Sequence, residues 1–194
     1  MRYLILLLAP LGVAARQDGE KRPVLPGKKF FYEFKVYKEG VEEKTVRVTL
    51  GAPGEIEVDD LEAGGKLHVT ARPLQGFEEA CYIRETGDAV IVYAHRYRGC
   101  KCPGPHIVPV AVLRLGGEAQ WTFRTRVDKQ VQSLECVRGK EEIVRYADDV
   151  RGVGHGVKYA IGDETMWLSR GTGIIRRITA DGRDWRLWGQ GFAE

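Results

Sequence analysis

Three things are scarce in this chain, and each scarcity excludes a class of protein. Helical periodicity is the first. Nowhere do apolar residues recur at spacings of three and four over three turns, so helix is a minor component of the expected fold. Serine is the second: Ser133 and Ser169 are the only two. Neither sits in a Gly-x-Ser-x-Gly elbow, which removes the usual serine-hydrolase arrangement. The third is any excess of one charge. With 30 Lys+Arg against 27 Asp+Glu, interspersed, the chain has no electrostatic footprint of a nucleic-acid binder.

Long apolar runs are also missing. The longest stretch, Tyr3 to Val13, has about eleven residues and is interrupted by Pro10, against the roughly 20 that span a bilayer. With Arg2 before it and the small residues Val13-Ala14-Ala15 after it, this stretch reads as a secretory signal peptide, residues 1–15, cut near Ala15. The expected mature chain is therefore periplasmic or secreted, without a transmembrane segment. Loss of Arg2 takes its formal charge from +3 to +2. Residues 16–28, polar and carrying Pro23, Pro26 and Gly27, are expected to form a flexible lead-in to a single β-rich domain over 29–190.

What is present is alternation. Phe30, Tyr32, Phe34 and Val36 alternate with more polar neighbours, as do Val46, Val48 and Leu50, then Leu67, Val69 and Ala71, and later Trp121, Phe123, Thr125 and Val127. Turn signals punctuate the runs: Glu39-Gly40, Gly64-Gly65, Thr86-Gly87-Asp88, Arg138-Gly139, Gly162-Asp163 and Asp181-Gly182. Trp167 to Trp188 is the clearest sample, with a Gly171-Thr-Gly173 corner, a strand, and an Asp-Gly hairpin turn. About a dozen short strands at this spacing predict an all-β antiparallel meander forming a curved sheet, a sandwich or a partly open barrel.

Four cysteines, Cys81, Cys100, Cys102 and Cys136, lie in the exported portion, where disulfides are the default. A Cys100–Cys102 bridge would close too small a ring. Two pairings stay open: Cys81–Cys100 with Cys102–Cys136, or Cys81–Cys102 with Cys100–Cys136. The segment from Arg98 to His106 packs turn-formers and two cysteines together, so it reads as a long loop.

Chemistry is sought at few places. Cys100, Cys102 and His106 suggest zinc or copper(I), but the spacing is not that of a structural zinc knuckle, so no metal and no cofactor is expected. Paired acids such as Asp59-Asp60 and Glu78-Glu79 read as solvated turn charges, since adjacent strand residues point to opposite faces. Glycine-rich Gly152 to Gly156 lacks the helix and lysine of a phosphate loop. His155, between glycines, is the best single catalytic candidate in a weak field, and His68 reads as a solvated strand histidine. Trp121, Phe123, Trp167 and Trp185 read first as core, and second as a concave aromatic face that binds an apolar or lipid ligand.

The second half resembles a known pattern. Gly117-x-x-x-Trp121-Thr-Phe, Cys136-Val-Arg-Gly-Lys-Glu141-Glu-Ile143 and Trp167-Leu-Ser-Arg-Gly171-Thr-Gly173-Ile-Ile175-Arg are similar to a group of uncharacterised bacterial exported β-domains. After Ile143 the chain departs from that pattern, with Tyr146-Ala-Asp-Asp149 in place of a small Ala-Gly-Thr-like segment. The resemblance implies a periplasmic or secreted, non-enzymatic β-sheet protein, loosely similar to half-barrel carriers of lipoprotein acyl chains. The expected function is thus a non-catalytic binding or cell-envelope structural module whose partner is an apolar ligand or an envelope protein.

Overall fold

A computed structural model describes residues 23–27, 29–77, 81–96, 106–127, 130–145 and 153–192. The signal-peptide segment, Cys100 and Cys102 lie outside these residues. Among the described residues there are thirteen strands: β1 (Phe30–Lys38), β2 (Val41–Leu50), β3 (Gly54–Asp59), β4 (Lys66–Gln75), β5 (Cys81–Glu85), β6 (Ala89–Arg96), β7 (His106–Arg114), β8 (Gln120–Val127), β9 (Gln130–Arg145), β10 (Val153–Ile161), β11 (Glu164–Ser169), β12 (Gly173–Ile178) and β13 (Asp184–Phe192). There is no helix among the described residues, hence none long and apolar enough to cross a membrane.

The fold is all-β. Twelve strands form one antiparallel path, β7-β6-β5-β4-β2-β1-β13-β12-β11-β10-β9-β8, and β3 pairs with β4 off that path. The sheet curls into a nearly closed barrel. The period-two pattern sets its inside: Tyr32, Phe34 and Val36 of β1, Val48 and Leu50 of β2, Ile83, Val90, Val92, Ala111, Leu113, Tyr159, Leu168 and Leu187 make one core. Glu39 (φ 52°) and Gly40 (φ 83°) form a two-residue hairpin between Lys38 and Val41, with both central residues in the left-handed region.

Two turn signals resolve differently. Arg138-Gly139 does not turn the chain: β9 runs through it as a single strand, and the extra residue is absorbed as a register shift against β10 between Val157 and Tyr159. Asp181-Gly182 sits inside a wider loop, closed by the Thr179 N–H on the Arg183 carbonyl at 2.9 Å. There the Thr179 and Asp181 side chains hydrogen-bond to each other, so side-chain capping replaces the two-residue turn.

A register shift between Val92 and Tyr93 puts an extra residue in β7, so β6 keeps its alternation while β7 changes which of its residues face inward. Beyond it Tyr93 and Ile107 join Val58 and Val69 in a second core, with Ile56, Tyr82 and Ile91 packed against it. Because Val90, Val92 and Ile83 belong to the barrel core, this second core lies on the opposite face of β5–β7. The β3–β4 hairpin therefore folds over the outside of the wall. Its tip reaches β8, where Arg124 donates to the Leu61 carbonyl at 3.2 Å.

Candidate binding site

One end of the barrel is stopped by the chain itself. Val24 and Leu25 are buried, although they precede the first strand. Two apolar side chains between prolines find an apolar cavity, and their backbone finds partners. The N–H groups of Val24 and Leu25 donate to the two carboxylate oxygens of Glu85 at 2.7 and 2.9 Å. Gly171 N–H donates to the Pro23 carbonyl at 3.0 Å. Arg72 donates through its guanidinium to the carbonyls of Pro26 and Gly51, the latter at 2.8 Å.

Leu25 lines a cavity of about 20 Å³ with Tyr32, Phe34, Leu50, Phe77 and Ile174. A second of about 20 Å³ continues past Phe34 and Phe77 to Trp185 and Met166. Each has room for little more than a single water molecule. As folded, the interior is filled by side chains. Burial pushes the Tyr32 phenol well above its ordinary value, and the Arg72 charge offsets only part of that.

Outside the stopper the mouth widens into a cleft of about 720 Å³. Its walls are the β5–β6 turn (Thr86, Gly87, Asp88), the β7–β8 turn (Leu115 to Gly117), Glu85, Pro23 and the cations Arg114 and Arg170. The turns are stiffened locally. The Thr86 hydroxyl bonds Asp88 at 2.8 Å, Leu115 N–H donates to the Asp88 carbonyl at 2.7 Å, and Arg138 donates to the Gly117 carbonyl at 2.8 Å. The cleft is polar, mixed in charge and continuous with the stopper through Pro23 and Glu85.

Of the four expected ligand-binding aromatics, Trp121, Trp167 and Trp185 are buried in the barrel core, with Phe123 packed against it. Trp121 packs on Tyr159 with centroids 6.3 Å apart. Phe123 is half-buried on the same strand. Trp167 is buried beside Lys158 and Arg176 and donates its indole N–H to Glu142. Of the four, Trp185 lines an interior cavity.

Each expected pairing includes Cys100 or Cys102, which lie outside the described residues; the two described cysteines, Cys81 and Cys136, are not bonded to each other. Cys81 and Cys136 both face the barrel interior. Cys81 lines the second cavity, and Cys136, fully buried, donates its thiol to the Val112 carbonyl at 3.4 Å. No group of metal-ligating side chains occurs among the described residues. His155 is exposed on β10 opposite Ile143, and His68 is exposed on β4 opposite Glu57.

His106 has a different setting. Its Nδ1 lies 2.8 Å from Asp59 Oδ2, while Lys66 Nζ lies 2.8 Å from Asp59 Oδ1 and Arg126 3.6 Å from Oδ2. Asp59, expected to be a solvated turn charge, is buried. Burial works to raise its carboxyl, but the hydrogen bonds and charges of Lys66 and His106 outweigh it and hold the group below its ordinary value. This cluster joins the β3–β4 hairpin to β7 and β8.

Glu85 and Arg72, which hold the stopper, had no distinguishing signal in the sequence: Glu85 borders a turn, where charges are usually solvated, and Arg72 lies within β4 as one charge of an alternating strand. The pair Val24-Leu25 between two prolines was the legible sign. Comparison with known proteins matches no family model, no curated protein and no solved structure.

Proposed function

We propose that this chain is an exported, non-catalytic β-barrel domain that works as a binding module of the bacterial cell envelope and takes its partner at the mouth cleft. The observation that carries this reading is the contrast between a barrel interior filled by side chains and a cleft of about 720 Å³ at its mouth, walled by two stiff turns and two arginines. Such a concavity with convergent polar groups is where a partner docks. The resemblance of the second half to exported bacterial β-domains and the signal-peptide pattern of residues 1–15 support the compartment.

The test combines two measurements on the full chain in a Gram-negative host. N-terminal sequencing of the periplasmic or secreted product is expected to begin at Arg16; a product that keeps Met1 in the cytoplasm overturns export. A photo-crosslinking residue at Gly116, exposed on the cleft wall, is expected to give a discrete adduct, and one at Thr122, exposed on β8, is not. Equal adducts from both positions, or none, count against the cleft.

A second reading, a carrier of an apolar or lipid ligand, draws on the apolar lining of the two interior cavities and on Trp185 at their edge. Volumes of about 20 Å³ favour the first reading. Lipid retained in native mass spectra of the purified protein would reverse that order.

A further inference from the structure

We infer that the barrel mouth is a peptide-binding site whose resident occupant is the chain's own Pro23–Pro26 segment, and that a short apolar peptide from a partner, bent as this segment is, takes this place when the segment lifts out. This rests on the binding-module reading and names the partner's chemistry.

The polar contacts described around the segment all go to its main chain. Glu85 accepts two successive N–H groups, Gly171 donates to one carbonyl, and Arg72 donates to another. Val24 and Leu25 stand at a bend, which turns two successive N–H groups toward one carboxylate, so these groups read a bent backbone whatever its side chains. The side-chain component is Leu25, buried beside Tyr32, Phe34, Leu50, Leu74 and Ile174, with which it lines the first cavity. Main-chain partners supply affinity and an apolar pocket supplies side-chain selectivity, as in other peptide sites.

An alkyl chain fits the site less well. It would fill the pocket but take from the Glu85 carboxylate and the Arg72 guanidinium the N–H and C=O partners they now have in the segment, and polar groups that lose partners at a half-buried site are costly. A peptide replaces each partner one for one.

The segment is also suited to leave. It belongs to no strand, so no ladder holds it, and segments of this kind occupy the low-stability end of a fold. Pro23 and Pro26 fix their own φ angles, so an occupant bracketed by proline loses less entropy on seating. Because Pro23 and Glu85 also line the cleft, a longer ligand continues from the pocket past Asp88 toward Arg114 and Arg170.

The test uses the full chain and the capped peptide Arg-Pro-Val-Leu-Pro-Gly, the sequence of residues 22–27. In the wild type, excess peptide is expected to speed hydrogen exchange of the Val24 and Leu25 amides several-fold while those of Val48 and Leu50 stay unchanged. Leu25→Ser is expected to lower the melting temperature, and the peptide to restore it; a peptide with serine in place of leucine is expected not to. Adding Glu85→Gln is expected to weaken that rescue about tenfold, the loss of a charge-assisted acceptor. Should Leu25→Ser fail to fold, the wild-type exchange experiment decides between the outcomes. Rescue by decanoate but not by peptide overturns the inference in favour of an alkyl ligand and leaves the binding-module reading standing. If Val24 and Leu25 exchange as slowly as Val48 and Leu50 with or without peptide, the segment is a fixed staple and the inference fails. The crosslink at Gly116 then judges the binding-module reading on its own.

Discussion

The indole N–H of Trp121 on β8 donates to the carbonyl of Val112 on β7 at 3.1 Å, between the two ends of the strand path, where no backbone ladder joins the sheet. The Cys136 thiol meets the same carbonyl at 3.4 Å. One step along β7, the Arg114 carbonyl accepts from the Tyr159 hydroxyl at 3.0 Å and from Arg138 at 3.3 Å. Alternate carbonyls of an edge strand point the same way, so side chains from β8, β9 and β10 satisfy the edge that a closed ladder would otherwise occupy. Pro109, on the same strand, has no N–H to offer a ladder. Outside, the β3–β4 hairpin crosses the same seam through Asp59, Leu61 and Glu62.

Trp121→Phe keeps most of the buried ring and removes the N–H. Because Cys136 still reaches Val112, the expected loss is about 1 kcal/mol, the net worth of a hydrogen bond. Denaturant unfolding measures it. Faster amide exchange confined to β7 and β8 would identify the seam as the part that loosens.

Asp59 makes stability depend on acid. Its folded pKa lies below the ordinary 3.8, so its contribution is fully present above that value and disappears as pH falls through the folded pKa, below about 4. Asp59→Asn is expected to lose about 1–3 kcal/mol at pH 6, where the native carboxylate is paired, and less at pH 3. Asp184, held low by Arg176 and Arg186 against the effect of its burial, supplies the acid sensitivity common to both proteins. Urea midpoints across pH 3–7 check the difference between them. Equal losses at pH 6 and pH 3 would show that the role of Asp59 is packing rather than charge.

Burial pushes the Cys136 thiol up to about 11, against opposing effects of the Val112 carbonyl contact and the Arg114 charge. The thiolate is the reactive form, so native Cys136 is expected to resist iodoacetamide at pH 8 and to react fully once the protein is unfolded. Cys81, half-buried at the cavity wall, is expected to react at an intermediate rate. Peptide mapping after labelling reads both. A Cys81 that stays unlabelled in denaturant without reductant would reveal a bridge to the segment that carries Cys100 and Cys102.

Gly76 has φ of +111°, and a Cβ there would lie 2.0 Å from the Arg47 carbonyl oxygen. Gly76→Ala must move backbone, so a loss of at least about 2 kcal/mol is expected. Gly116→Ala, with no atom within 4 Å of the added carbon, is the control and is expected to stay within about 0.5 kcal/mol. Thermal unfolding of the two variants separates them.

Much of the wall was legible residue by residue. The alternation of Tyr32, Phe34 and Val36, of Val48 and Leu50, and of Trp121 and Thr125 places the same residues inside that the fold buries. Legibility failed where a residue's environment comes from distant chain. Asp59 looked like a turn charge because its partners Arg126 and His106 are 67 and 47 positions away. Val24 and Leu25 looked like part of a lead-in because their acceptor, Glu85, is 61 and 60 positions away.

The sequence by itself determined that this chain is all-β, because a period of two with turn residues between short runs leaves the backbone few other ways to bury its apolar side chains. Tertiary structure alone decided how the sheet ends meet, what fills the barrel and which charges are taken out of water. Those depend on curvature, which brings β7 beside β8 and Glu85 beside Val24, and curvature sums small twists and register shifts over twelve strands, no one of which is written at a single position.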